Sequence, residues 1–348
     1  MNNEQWNSLL DVVDGRKTDV LPTGFIIDSP WLPGWYGVST MDYYSNDQLW
    51  FEANKKAIET FKDVMFLPGF WAEYGMCTEP SAFGAKCRWE TANLPHAEKI
   101  SSDIDVLCAL PKPHAEKDGL LPFIINRLKI AEPQIEAMGH GIKFAVARGP
   151  LNIASFLFGT TELMLAMMEE PGKCHRFIGM ITDFTVDWIG YQMEKFPSIE
   201  GILLLDDIVG FLGDDLCREY VVPCFKKIYG SFGAKINFLH NDAAGLVSAP
   251  YLQEMGVNLF NYSFEHTIAE MQKLTGNRVA LLGNIPPRDI LKAGSPQDVR
   301  EAVRRSLDGV EDFSRIIMSC GGGMPQEVSS ENIFAFCDEV SGLAATNN

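Results

Sequence analysis

Ile236-Asn237-Phe238-Leu239-His240-Asn241-Asp242-Ala243-Ala244-Gly245 is an apolar run that stops abruptly in polar residues and a glycine. Such a stretch reads as a buried strand that delivers a histidine and a carboxylate together at its C-terminal end. Further along, Ile316-Ile317-Met318-Ser319-Cys320-Gly321-Gly322-Gly323 repeats the pattern, ending in a thiol and a glycine-rich turn. Histidine, aspartate and cysteine are zinc-binding side chains. A lone strand-end histidine is also a common structural residue, and a single buried cysteine a small hydrophobe, so the surrounding chain has to decide between the two.

Outward from this stretch, short apolar runs alternate with amphipathic helical segments. Runs near residues 25, 65, 145, 203, 238, 260, 281 and 317 give eight strand candidates. Helices are expected over 3–14, 47–61, 124–137, 161–170 and 172–195. Buried strands joined by helical crossovers are parallel, and eight of them close into a (β/α)8 TIM barrel, here with an additional N-terminal helix carrying Trp6, Leu9, Leu10 and Val13. A doubly wound open sheet would usually carry Gly-x-Gly-x-x-Gly after an early strand, and the sequence has none. Neither a linker nor an internal repeat interrupts residues 1–348, which read as one domain. A long connection from Cys77 to about residue 115 reads as a lid or substrate loop.

The chain has 348 residues, 46% of them hydrophobic, with 46 acidic against 29 basic side chains for a net charge of −17. Such a surface repels phosphate backbones and anionic lipid, so nucleic-acid and membrane binding are not expected. No export signal or membrane span is visible, and a cytoplasmic location with eight reduced cysteines is expected.

A barrel gathers its strand ends around one mouth. The residues expected there are Glu73, Arg148, Asp206, Asp207, His240, Asp242, Tyr262, Asn284 and Cys320. His240, Asp242 and Cys320 form a candidate zinc site whose three ligands leave a fourth position open, as catalytic zinc requires. Asp206 and Asp207 either act there or cap helices, and any of the carboxylates can pair with Arg148. Trp31, Tyr36 and Trp71 either pack in the core or, with Arg148, Tyr262 and Asn284, line a pocket for a planar substrate.

Several segments together resemble the uroporphyrinogen decarboxylase superfamily, which includes cobalamin-dependent methyltransferases. They are Gly149-Pro150-Leu151-Asn152-Ile153-Ala154-Ser155, Leu205-Asp206-Asp207-Ile208-Val209-Gly210, Phe238-Leu239-His240-Asn241-Asp242, Gly283-Asn284-Ile285-Pro286-Pro287 and Gly321-Gly322-Gly323-Met324-Pro325. The resemblance runs from the opening helix almost to the C-terminus. The decarboxylases carry an Arg-Gln-Ala-Gly-Arg run after the first strand, where this chain has Asp28-Ser29-Pro30-Trp31, and their catalytic aspartate aligns with Pro68. The methyltransferase branch binds zinc through a His-x-Cys pair and a later cysteine. Here His240 matches, Asp242 replaces the first cysteine, and Cys320 stands one position before the second.

The resemblance therefore implies a demethylase component that moves a methyl group from a small donor, of which a methoxylated aromatic is the expected type, to cobalamin carried by a partner corrinoid protein. Zinc would activate the donor, and Glu73, Asp206 or Asp207 would protonate the leaving group or orient the substrate. A decarboxylase or lyase of a small acid on the same fold, and a non-catalytic corrinoid or small-molecule binding protein, stay open as alternatives.

Overall fold

The computed structural model describes residues 1–18 and 20–346. Eight parallel strands form the centre: β1 (Thr23–Ile26), β2 (Val64–Leu67), β3 (Phe144–Arg148), β4 (Gly201–Leu205), β5 (Ile236–His240), β6 (Leu259–Asn261), β7 (Ala280–Ile285) and β8 (Ile316–Cys320). They hydrogen-bond in the order β2-β1-β8-β7-β6-β5-β4-β3. Each falls on one of the expected runs, because a parallel strand covered on both faces must be apolar along its whole length. The pairing of β1 with β8 brings the first and last strands side by side, as in a (β/α)8 barrel and unlike an open doubly wound sheet. The β2 and β3 edges flank the long 68–143 excursion, and the hydrogen-bonded ladder of the described strands is interrupted there.

Side-chain direction alternates along each strand, which sorts the chain into two cores. Ile26, Phe144, Leu203, Phe238, Leu259, Leu282 and Ile317 point into the barrel, whereas Phe25, Phe66, Ala145, Leu204, Leu239, Phe260 and Met318 point out against the helices. The first helix, α1 (Asn3–Asp14), is a plug for the interior. Trp6, Leu9, Val12 and Val13 join the inward-facing cluster, and Trp6 meets Phe144 edge-on with ring centroids 5.5 Å apart. Burial of each such side chain contributes about 1.5–3 kcal/mol. A capping box between Asn2 and Gln5 starts this helix and Gly15, in the left-handed region at φ 72°, ends it.

The outer layer includes α2 (Asp47–Thr60), α3 (Leu121–Ala137), α4 (Pro150–Phe158), α5 (Thr160–Glu169) and α6 (Pro171–Lys195). The connection expected as an irregular loop after Cys77 holds short helices at Thr78–Ala82 and Ile104–Cys108 and a hairpin of Cys87–Arg88 with His96–Ala97. All eight cysteines are free thiols, and no single described helix is long and apolar enough to cross a membrane.

Candidate functional site

The strand registers align Arg148, Leu205, His240, Asn261, Leu282 and Ile317 on one level near the C-terminal ends of β3 to β8. Ile317, Leu282 and Leu205 belong to the interior core, so His240 and Asn261 face the same space. Nδ1 of His240 lies 2.7 Å from Oδ1 of Asn261, whose Nδ2 donates to the carbonyls of Leu282 at 2.8 Å and Cys320 at 3.3 Å. With its amide nitrogen committed as donor, Asn261 must accept at Oδ1, so His240 donates from Nδ1 and presents Nε2 to the mouth. There Nε2 stands 3.3 Å from Asp242 Oδ1.

Two residues beyond β4, Asp207 resumes the inward parity of Leu203 and Leu205, and its Oδ1 accepts the amide of Asp242 at 2.8 Å. Ligand atoms of Asp207, His240 and Asp242 all lie within 4.8 Å of one another, the one such group among the described residues. Burial disfavours a charged His240, but Asp242, with help from Asp207 and Asn261, outweighs it and holds the imidazole up at about 9. The surrounding wall works against ionisation of Asp242, yet His240 and the Gly323 amide keep its carboxyl below the ordinary range. Gly322 makes this approach possible. Its φ is 117°, and a Cβ there would stand 2.3 Å from Asp242 Oδ1.

Cys320, expected as the third ligand, lies elsewhere. It shares the outward parity of Ile316 and Met318, is fully buried among the helix-facing core, and donates from Sγ to the Gly322 carbonyl at 3.3 Å. Burial, with the Asp242 charge nearby, pushes its thiol up to about 12. Asp207 stands in the third place of this cluster, whose ligand-type atoms are nitrogen and oxygen without sulfur.

A second polar cluster surrounds Arg148. Its Nη2 donates to Glu73 Oε2 at 2.7 Å, and its amide donates to Glu79 Oε1 at 3.1 Å. Burial drives the Glu73 carboxyl well above the ordinary range; Arg148 opposes this, and the hydrogen-bonded neighbour Asp28 reinforces it. Glu79 is raised for the same first reason, burial. Around a single guanidinium, then, burial favours the protonated form of Glu73 while the Arg148 charge opposes it. Arg148, expected to bind substrate, has its Nη2 engaged by Glu73, while its buried Nε has no partner.

Asp206 faces outward and is wholly buried, with Oδ2 accepting the Leu151 amide at 2.9 Å in the first turn of α4. It caps that helix instead of entering the mouth. A Cβ on Gly149 would lie 2.2 Å from this oxygen, so the glycine gives the carboxylate its room.

The expected substrate-lining residues are mostly structural. Trp31 is fully buried, stacks on Trp35 at 4.9 Å and donates from Nε1 to the Val328 carbonyl at 3.0 Å. Tyr36 packs half-buried against the same outer core. Trp71 belongs to the barrel interior and donates to the Ile27 carbonyl at 3.1 Å. Tyr262 faces outward, buried against Phe260 with centroids 5.6 Å apart, and Asn284 donates from Nδ2 to the His266 carbonyl. Two residues the sequence reading passed over, Asn261 and Glu79, stand among these groups, and Asp28 is there as expected. The signal for Asn261 was a polar residue at an inward position of the run Leu259-Phe260-Asn261.

A family model described as uroporphyrinogen decarboxylase matches residues 8–343. A curated uroporphyrinogen decarboxylase of Shewanella loihica is 22% identical over 279 residues, covering 77% of each chain. That of Cellvibrio japonicus is 25% identical, covering 77% of this chain and 76% of its own. Among solved structures, a methyltransferase from Methanosarcina mazei superposes with a TM-score of 0.80 at 17% identity, covering 97% of this chain and 98% of that one. A B12-independent methionine synthase from Shewanella sp. W3-18-1, in complex with selenomethionine, gives 0.60 at 11% identity, covering 94% and 98%. At these identities the structural likeness establishes the fold.

Proposed function

Since the chain belongs to the uroporphyrinogen decarboxylase family, we propose that it is a metal-dependent methyltransferase of that fold, taking a methyl group from a small donor and passing it to a corrinoid on a partner protein. The observation that carries this reading is the Asp207, His240 and Asp242 cluster at the barrel mouth, with His240 aimed by Asn261. These residues fit zinc. With the His240 proton given up on binding, its imidazole and two carboxylates would make a charge balance that a divalent cation completes, their donor atoms are within reach of one ion, and the Nδ1 partner is of the kind that metal-bound histidines require. When bound, zinc supplies a Lewis acid that polarises the bond between the methyl group and its heteroatom.

The chain's own residues supply the rest. Asp207, His240 and Asp242 hold the metal. Burial favours the protonated form of Glu73, which is the donor to the departing heteroatom, while Arg148 fixes the Glu73 carboxyl in place. Asp206 preserves the α4 start beneath them. The methyl donor is uncharged or weakly charged, and a methoxylated aromatic suits it, because the acids around the mouth repel anions and Glu73 already pairs with the Arg148 guanidinium. Supporting a protein partner, large apolar side chains stand exposed on the loops that follow β4, β5 and β6: Phe211, Leu246 and Phe264.

The test combines metal analysis with turnover. Protein purified without chelator should carry about one zinc per chain, by analogy with single-ion catalytic sites, and should form methylcobalamin from free cob(I)alamin and a methoxylated aromatic, dependent on His240. Absence of methylcobalamin across a broad donor panel, with loss of carbon dioxide from uroporphyrinogen or another acid, would move the assignment to a decarboxylase.

A further inference from the structure

Away from the metal cluster, a pocket of about 390 Å³ opens where the starts of α2 and α3 meet the segment bearing Tyr74 and the hairpin. That volume lies within the range of small-molecule sites, roughly 300–1,000 Å³. Its aromatic wall is a cluster of Tyr44, Tyr74 and Trp89, with ring centroids 5.7 to 6.1 Å apart, and Phe123 flanks it. Trp89 and Phe123 are 38% and 58% exposed, which is costly for such side chains unless something covers them. Through the Tyr44 hydroxyl, which donates to Ser29, itself a donor to Asp28, the pocket backs onto the acids of the mouth.

Arg127 supplies the polar feature. It is 1% exposed and lies 5.0 Å over the Tyr74 ring. Nε donates to Asp47 Oδ1 at 2.7 Å and Nη2 to the Tyr44 carbonyl, but buried Nη1 has no partner. A buried guanidinium nitrogen left unbonded is costly and calls for an acceptor. Asp47 already balances the Arg127 charge, so an added net charge of either sign would be desolvated without compensation.

From this geometry we infer a second binding site, separate from the metal centre, for an uncharged planar aromatic molecule bearing an acceptor oxygen. The ring packs against Trp89 and Phe123, and the oxygen accepts from Arg127.

The test titrates the full chain with benzamide, benzoate and benzylammonium, observing each ligand by saturation-transfer NMR. Benzamide is expected to bind at least about ten-fold more tightly than the two ions. Trp89→Ala and Phe123→Ala should each weaken it by about five- to ten-fold, the value of one aromatic contact, without lowering the melting temperature. His240→Ala should leave it unchanged, which separates this site from the metal centre and from the proposed reaction. If Trp89→Ala disturbs folding, the more exposed Phe123→Ala decides. No benzamide signal, equal binding of the charged probes, indifference to Phe123→Ala, or loss in His240→Ala would each overturn the inference.

Discussion

Replacing Asn261 with alanine tests what the fold contributes to the proposed metal site, because Asn261 touches His240 but is not itself in the cluster of Asp207, His240 and Asp242. The substitution removes the acceptor for His240 Nδ1 at 2.7 Å and the donors to the Leu282 and Cys320 carbonyls, all within a fully buried setting. Leaving buried groups without partners costs about 1–3 kcal/mol each, less whatever relaxation recovers, so a stability loss of roughly 2–4 kcal/mol is expected. The freed imidazole can then change tautomer and rotate, and losing such a partner weakens metal affinity by about 10- to 100-fold, or about 1.4–2.7 kcal/mol. Asn261→Asp separates the two effects. A carboxylate oxygen still accepts from Nδ1 and should restore most of the zinc affinity, yet it turns an acceptor toward two carbonyls and should remain destabilised. Zinc competition against a chromophoric chelator at neutral pH, on protein shown to be folded by its thermal transition, measures the first quantity; urea denaturation measures the second. Zinc binding by folded Asn261→Ala within about three-fold of wild type, against that 10- to 100-fold expectation, would refute the claim that Asn261 aims His240 at a metal.

The other expectations address the remaining assignments. Cys320→Ala should retain zinc and lose only about 1 kcal/mol of stability, as for a small buried side chain, because its thiol bonds to Gly322 and faces the helices; metal analysis showing an empty protein would restore the cysteine as a ligand. Gly322→Ala should lose most metal while staying folded, since the new Cβ would stand 2.3 Å from Asp242 Oδ1 on a backbone at φ 117°; unchanged zinc content would refute it. For Asp206, burial outweighs the helix amides and raises the carboxyl to about 8. A raised folded value means that its neutral form is favoured by folding, so this contribution is complete below the unfolded value of about 4 and is lost as pH rises toward 8. Urea unfolding near pH 5 and near pH 9 should show a decline on the order of 1–3 kcal/mol in wild type that Asp206→Asn lacks; parallel declines in both proteins would assign it to other groups.

The barrel was legible because its physical requirement is written locally. A strand buried on two faces needs a continuous apolar run, and each of the eight runs became a strand, down to Ile236–His240 ending at its histidine. The errors at the mouth came from treating strand ends as points of convergence while neglecting the side to which each residue projects. Counting by twos from the apolar residues assigns His240 and Asp242 inward with Phe238, Asp207 inward with Leu205, and Cys320 outward with Met318. Once one inward residue of each strand is known, which a run apolar on both faces does not reveal, the count separates Asp207 at the mouth from the Asp206 helix cap although the two are adjacent. Other features had no local signature. The partnership of His240 with Asn261 depends on a cross-strand register, and the bonds of Arg148, from its guanidinium to Glu73 and from its amide to Glu79, depend on how the chain returns after β2. Aromatic composition likewise could not separate Trp31, sealed in the outer core, from Trp89, exposed beside an open pocket. Strand parity thus explains why the metal candidate changes from a thiol-containing set to His240 with two carboxylates. It follows that zinc held here would be a harder Lewis acid than one on cysteine sulfur, better matched to an ether oxygen than to a thiolate.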